Sequence, residues 1–241
     1  MLYKIVAISD LHGYLPMQPL GSPLSMPDAD FLLVAGDITP GGSIKNQTTW
    51  LSNQFDRWTK YFTVPPYVIA GNHDSVFAHM NVSSSYATYV NDSQFVLSTR
   101  GSLLKGWGSP WTLPFHNWSF MCKEDELRDK YERIPADIDI VMTHGPPYGI
   151  LDQNVYGEHC GSIATREMLD RVKPKLHVFG HIHEQGGKTH LHGDTICANV
   201  SYVDRNYQPT NEGQLFLWDT QTQRITSREQ ILTATKESQP I

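Results

Sequence analysis

An α/β fold is predicted by three features of this sequence. Five apolar runs of strand length end in Gly, Asp, Asn or His, at residues 3–9, 30–35, 67–70, 138–142 and 176–179. Segments of helical period lie between them, and prolines (Pro65-Pro66, Pro174) close those segments. Strands alternating with helical patterns are the signature of a largely parallel sheet, whose buried strands read as continuous apolar runs.

The elements follow in order. Tyr3 to Ser9 is a first strand and runs straight into Asp10-Leu11-His12. Gly13 to Pro27 holds four prolines and reads as a loop over the mouth of a site. Asp30 to Ala35 is a buried strand followed by Gly36-Asp37. Leu51, Phe55, Trp58 and Phe62 recur at i, i+4, i+7 and i+11, one face of a helix packed on a sheet. Tyr67 to Ala70 is a short strand ending in Gly71-Asn72-His73-Asp74, and residues 75–92 are polar with little periodicity. Phe95–Leu97 and Leu103-Leu104 flank Arg100-Gly101 as a hairpin. An aromatic cluster follows, with Trp107, Trp111, Phe115, His116 and Trp118. It is either a packed lid or a stacking wall for a nucleobase, with Trp111 and His116 as candidate substrate contacts. Glu124 to Ile134 is a charged helix with Leu127, Tyr131 and Ile134 facing inward.

Ile138 to Met142 is a strand delivering Thr143-His144, with Gly145-Pro146-Pro147 as a rigid turn behind it. Ser162 is an N-cap for a helix through Val172. The run Leu176 to Phe179 then ends in Gly180-His181-Ile182-His183. In extended backbone alternate residues share a side, so both imidazoles can face one pocket. Lys188–His192 with Thr195–Val200, and Gln214–Trp218 with Arg224–Ser227, read as two hairpins, with His190 and His192 towards solvent. One domain over residues 1–241 is expected, with a polar tail from about residue 231.

Composition narrows the function. The 25 acidic and 19 basic residues give a net charge of −6, against a surface for long nucleic acids. A small phosphate ester remains compatible if bound metal supplies the positive charge. No run is long enough to span a bilayer. Cys122, Cys160 and Cys197 are odd in number and without a CxxC pair, and no secretory leader is apparent, so a reduced cytoplasmic protein is expected.

Sites in open α/β sheets form at the carboxyl ends of strands, so Asp10/His12, Asp37, Asn72/His73, His144 and His181/His183 should converge. Carboxylates, imidazoles and an amide oxygen suit Mn, Fe or Zn rather than a thiolate site. Two carboxylates and several histidines exceed one tetrahedral ion, whereas two ions sharing a carboxylate accommodate them.

Asp10-x-His12, Gly36-Asp37, Gly71-Asn72-His73-Asp74, Thr143-His144-Gly145 and Gly180-His181-x-His183 resemble the five ordered motifs of the calcineurin-like metallophosphoesterases. Gly108-Ser109-Pro110-Trp111, His144-Gly145-Pro146-Pro147, the stretch 174–184 and Gln208-Pro209-Thr210-Asn211 resemble the small metallophosphoesterase-domain-containing proteins within that superfamily. The resemblance to cyclic-nucleotide phosphodiesterases of the same superfamily is looser. It implies a four-layer α/β/β/α sandwich. It implies one metal on Asp10, His12, His183 and bridging Asp37, and a second on Asp37, Asn72, His144 and His181. Such a pair lowers the pKa of a bridging water and clamps the phosphoryl oxygens for in-line displacement. His73 would then protonate the leaving oxygen, with Asp74 either orienting it or capping the turn. The protein-phosphatase branch carries Asp where this chain has Pro40, so a phosphoprotein substrate is disfavoured. The expected activity is a Mn-dependent phosphodiesterase acting on small phosphodiesters such as cyclic nucleotides, from a monomer or homodimer. A phosphomonoesterase is the alternative, and a non-enzymatic scaffold would be expected to have lost ligands.

Overall fold

The computed structural model describes residues 1–16 and 28–230. Most of the loop read at 13–27 and the tail from 231 lie outside the described residues. The first strands are β1 (Leu2–Ile8), β2 (Phe31–Ala35), β3 (Tyr67–Ile69) and β4 (Thr88–Tyr89). Then come β5 (Ser93–Thr99), β6 (Ser102–Ser109), β7 (Ile140–Thr143) and β8 (Leu176–Phe179). The last are β9 (Lys188–His192), β10 (Thr195–Asn199), β11 (Gln214–Asp219) and β12 (Arg224–Ser227).

Among the described residues these strands form two six-stranded sheets, ordered β12-β11-β1-β2-β3-β4 and β5-β6-β7-β8-β10-β9. Strands β1, β2 and β3 run parallel, as do β6, β7, β8 and β10. A parallel bridge between Ser9 and Ser201 joins the two sheets just beyond β1. The C-terminal ends of β1, β2, β3, β7 and β8 therefore open onto one region.

Alternation along the strands builds the layers. Ile5, Ala7, Leu33 and Ala35 of one sheet pack against the second sheet through Ile140, Met142, Leu176 and Val178. The opposite side chains of β1 and β2, Val6, Ile8, Leu32 and Val34, meet Trp50, Leu51, Phe55 and Trp58 of the helical segment. On the outer face of the second sheet, Trp107 and Val141 meet Leu127, Tyr131, Ala164 and Met168. The result is the expected four-layer α/β/β/α sandwich.

The helices carry the residues needed for these contacts. Segment α1 (Ile44–Trp50) is capped by Ser43 Oγ, which accepts from Asn46 N at 3.3 Å. It passes through a π-helical turn, Leu51–Phe55, into α2 (Asp56–Thr59). The wider turn shifts the face, so adjacent Trp50 and Leu51 are both buried with Phe55 and Trp58. A strict 3.6 period from Leu51 to Phe62 does not anticipate this, and the helix ends before Phe62. Residues 75–92 hold the short helix α3 (Ser75–His79) and strand β4, neither of which the weak periodicity signalled. Helix α4 (Glu124–Tyr131) stops three residues short of Ile134, which is buried all the same. Helix α5 (Ile163–Val172) starts at Ser162 as expected, and the Glu124 carboxylate also accepts from Ile163 N and Ala164 N. Both C-terminal hairpins form. All of β10 is buried because it lies between β8 and β9. His190 is exposed, while His192 pairs with Asp170 at 2.6 Å.

One buried histidine in β8 makes the fold sensitive to acid. The Thr143 hydroxyl donates to the Gly145 carbonyl at 2.7 Å, so His177 Nε2, 2.9 Å from that hydroxyl, must be the donor there. Its Nδ1 is a bare, buried nitrogen without a partner. Burial pushes the imidazole down to about 3 from 6.5. A depressed folded pKa means that stability is present above 6.5 and is lost as pH falls towards 3, because only the unfolded chain takes the proton in that window. At pH 5 this costs about 2 kcal/mol, at about 1.4 kcal/mol per unit. His177→Gln keeps an Nε2 donor and does not titrate. Urea unfolding should show that it loses about 2 kcal/mol less than the parent between pH 7 and pH 5. Parallel losses would contradict the assignment.

Candidate metal centre

The strand ends place the candidate residues on tight turns, several of them strained. Asp10, His12, Asp37 and His181 have φ of +52, +43, +50 and +69°, the left-handed region that non-glycine residues avoid. Each such residue costs about 1–3 kcal/mol and persists only where its surroundings fix it. Here the turns after β1 and β2 fix each other: Asp10 N donates to Gly36 O and His12 N to Asp37 O, both at 2.9 Å. Two glycines have a steric reason. A Cβ on Gly71 would overlap an Asp37 carboxylate oxygen, and one on Gly180 would overlap an Asp10 oxygen.

All seven sequence-derived metal ligands meet in this region. Asp10, His12 and His183 offer ligand atoms within 4.8 Å of one another, as do Asp10, Asp37 and His144. Asn72 Oδ1 lies 2.9 Å from His144 Nε2, and the His181 ring is 5.1 Å from the His144 ring. Asp10 and Asp37 are 0% and 2% exposed, so these charges are withdrawn from water. Burying a carboxylate is costly unless positive charge or donors compensate.

Hydrogen-bond logic identifies what compensates. His183 Nδ1 faces the Asp204 carbonyl at 3.1 Å, and His144 Nδ1 faces the Ala35 carbonyl at 3.0 Å. Both nitrogens must donate, which leaves each neutral ring with a bare Nε2 aimed inward. His183 Nε2 then faces Asp10 Oδ1 at 3.1 Å and His12 Nε2 at 3.4 Å. His144 Nε2 faces Asn72 Oδ1 and, at 3.4 Å, Asp37 Oδ2. Acceptors confront acceptors, and a cation between them satisfies both sides. The donor set thus fits a pair of metal ions on the observed arrangement alone.

The electrostatics call for positive charge at the same places. Burial alone would raise Asp10, yet His183, His144 and His12 hold it well below the ordinary carboxylate value, and Asp37 is lowered chiefly by His144. Burial would lower His144, but Asp37 and Asp10 raise it to about 9. Burial wins at His12, brought down to about 4, and at His181, brought down to about 3 with the help of His144. Burial would lower His183 as well, but Asp10 raises it. His12 and His181 are thus in the neutral form that binds metal, while His144 and His183 hold protons that a metal ion would displace.

The match to known proteins follows the geometry. Residues 3–185 match the calcineurin-like phosphoesterase family model. The chain belongs to the calcineurin-like phosphoesterase family. That family implies metal-dependent phosphoester hydrolysis at a dinuclear divalent centre. This phosphoesterase is 32% identical to human metallophosphoesterase domain-containing protein 1, over 86% of the present chain and 68% of the human one. It is 31% identical to probable rhamnogalacturonate lyase C of Emericella nidulans, over 90% of this chain and 20% of that one. In fold it is similar to the phosphopantetheinyl hydrolase PptH of Mycobacterium tuberculosis, with a TM-score of 0.52 at 16% identity over 85% and 90% of the two chains. No described helix is long and apolar enough to cross a membrane.

Around the phosphoesterase centre the remaining expectations divide. The His73 ring stacks on Trp118 at 4.2 Å and meets His12 edge-on at 4.8 Å, and its backbone N donates to Asp37 Oδ1 at 2.8 Å. Asp74 does not orient it. The Asp74 carboxylate accepts from Gly71 N, Ile38 N, Thr39 N and Thr39 Oγ1 at 2.7–3.1 Å, tying the turn after β3 to the turn after β2. Among the described residues no hydrogen bond joins it to the His73 ring.

Trp111 and His116 are also corrected. The Trp111 indole donates to Asp92 at 2.8 Å and lies under the Lys130 ammonium at 3.8 Å, so it packs on α4. Trp107 is core. His116 packs at a tilt against Phe115 at 4.3 Å and Trp118 at 5.1 Å and lines neither cavity described below. Of the aromatic cluster, Phe115 and Trp118 line a cavity of about 450 Å³ over the centre. Two residues in that wall were not anticipated, Arg205 and Tyr207. Asp204 builds the turn that carries them, its Oδ1 accepting from Asn206 N and Gln208 N. That turn sets Tyr207 edge-on to His12 at 4.7 Å and to His183 at 5.4 Å. The Asp204-to-Pro209 composition signals a turn, but nothing local signals where it points.

The Asp74 cluster yields a test. Asp74→Ala leaves three buried backbone donors unpaired, a loss of about 3–5 kcal/mol in urea unfolding. A loss below about 1 kcal/mol would contradict the tethering role.

Proposed function

We propose that this protein is a dinuclear-metal-dependent phosphodiesterase acting on small, ring-bearing phosphodiesters, cyclic nucleotides among them. The observation carrying this reading is the buried cluster of carboxylates and imidazoles around Asp10 and Asp37, opening into an aromatic cavity. One ion would be held by Asp10, His12, His183 and Asp37, the other by Asp37, Asn72, His144 and His181. Mn is favoured on ligand type, with Fe or Zn as alternatives. When bound, the pair supplies an activated water and neutralises charge on the phosphoryl oxygens.

The chain's own residues do the rest. Ala35 O and Asp204 O hold His144 and His183 in the tautomer that presents Nε2. His73 is held by its backbone N on Asp37, by its carbonyl accepting from Gln47 Nε2 at 2.8 Å, and by Trp118. Its imidazole at the cavity wall gives a proton to the departing alkoxide oxygen. Phe115, Trp118 and Leu113 exclude water and offer a ring-stacking wall, and Arg205 adds the cation that a substrate anion requires. The three thiols are unpaired, which fits a reducing compartment such as the cytoplasm. Phosphomonoester hydrolysis at the same centre is the alternative reading.

Bis(p-nitrophenyl) phosphate and p-nitrophenyl phosphate, assayed on Mn-loaded protein, separate the two readings. The diester should be turned over with the higher kcat/KM, and a reversed ratio favours the monoesterase. His73→Ala should lower kcat about 10²–10⁴-fold for an alkyl leaving group and much less for p-nitrophenolate, which departs without a proton. Equal losses on both leaving groups would remove His73 as the acid.

A further inference from the structure

Among the described residues two cavities open beside Asn72 and His73. The first, of about 450 Å³, is lined by Leu113, Phe115, Trp118, Arg205 and Tyr207 above His181 and His183. The second, of about 590 Å³, is lined by Gly41, Gly42, Ser75, Ala78, Asn117 and Ser119. They share Asn72, His73 and Trp118. The His73–Trp118 pair, tilted together with 4.2 Å between ring centres, is thus the partition between them.

The partition bears on substrate shape. Tetrahedral phosphorus sends its two ester oxygens in different directions, and in-line displacement places the leaving oxygen opposite the attacking water. An open-chain diester therefore needs two outlets from the phosphoryl site. In a cyclic nucleotide both ester oxygens return to one ribose, and one outlet is enough. Asn72 adds a second observation at the junction. Its side chain is 2% exposed, its Oδ1 faces His144, and its Nδ2 is buried with no partner. An oxygen of a bound ester at this junction would satisfy the orphaned donor.

The linings differ in chemistry. The first has aromatic and aliphatic walls, with the Arg205 guanidinium, the Glu184 carboxylate and Asn154 among its polar groups. The second has amides, hydroxyls and imidazoles, among them Gln47, Ser75 and His79, with no Lys, Arg or carboxylate, and Asn117 and Ser119 make no side-chain hydrogen bond to any described residue. A hydroxylated group suits it, because these side chains both donate and accept.

We infer that the preferred substrate is an open-chain phosphodiester of one ring-bearing alcohol and one small polyol, the ring in the Phe115 cavity and the polyol beside Asn117. The inference rests on the phosphodiesterase reading and narrows it. Water adds to phosphorus, the bond from phosphorus to the polyol oxygen breaks, and that oxygen takes a proton from His73. The products are the monoester of the ring-bearing alcohol and the free polyol.

A matched pair of substrates tests this. The glyceryl diester of adenosine 5′-phosphate and 3′,5′-cyclic AMP carry the same ring but need two outlets and one. The metal-loaded protein should prefer the glyceryl diester at least tenfold in kcat/KM. Ala78 is exposed on α3 and lines only the second cavity. Ala78→Trp should lower the ratio of the two kcat/KM values at least tenfold. Calorimetric affinity for the non-hydrolysed glyceryl phosphorothioate should fall in parallel. Asn117→Leu, in an exposed loop, serves the same test if the tryptophan variant does not fold, and should lower the ratio at least threefold. A wild-type preference for the cyclic diester, or variants that shift both substrates equally, overturns the two-armed substrate and leaves the phosphodiesterase reading intact. Turnover of p-nitrophenyl phosphate with neither diester hydrolysed overturns both.

Discussion

The structure turns on one electrostatic constraint: two carboxylates, Asp10 and Asp37, are buried side by side between two sheets with imidazoles as their main company. As neutral rings His144 and His183 would have no donor left for them, since each gives one N–H to a backbone carbonyl. The carboxylates accordingly raise both rings so that they take up a proton. The cluster calls for positive charge, and the dinuclear divalent centre that the family implies would supply it. Ser9 and Ser201 donate to Asp10 Oδ2 at 2.5 and 2.8 Å, and His73 N donates to Asp37 Oδ1. These bonds fix the carboxylates without neutralising them.

The fold serves the same constraint. Parallel strands from two sheets end at one edge, and their exit turns take up left-handed backbone at Asp10, His12, Asp37 and His181. Such strain is tolerable because the turns are bonded to one another rather than to solvent, with Asp74 as a further tie between the β2 and β3 exits. The four apolar layers hold the strands in register, and so set the separation of ligands that lie up to 173 positions apart in the chain.

The parts legible in the sequence were those in which chemistry and local structure coincide. A buried strand followed at once by Gly-Asp, Gly-Asn-His or Gly-His-x-His declares the element and marks the side chains it delivers, and all seven candidate metal ligands arrive in one region. Elements set by distant contacts were not legible. The π-helical turn at Leu51–Phe55 answers the shape of the sheet beneath it, and β4 is a two-residue strand formed only by pairing with β3. Trp111 and Phe115 look interchangeable in sequence. Asp92 and Lys130, some twenty positions away on either side, draw the first onto α4, and the second is left to wall the cavity. Tyr207 was missed because its position follows from a carbonyl accepting from His183, a contact that spans 21 residues.

Asp37 is the common member of both proposed ligand sets, and metal stoichiometry by elemental analysis after Mn²⁺ loading and desalting tests this most directly. The account predicts two ions per chain in the parent protein, one in Asp10→Asn, and a loss at both positions in Asp37→Asn. A single ion in the parent, or two ions retained by Asp37→Asn, would contradict a shared dinuclear centre.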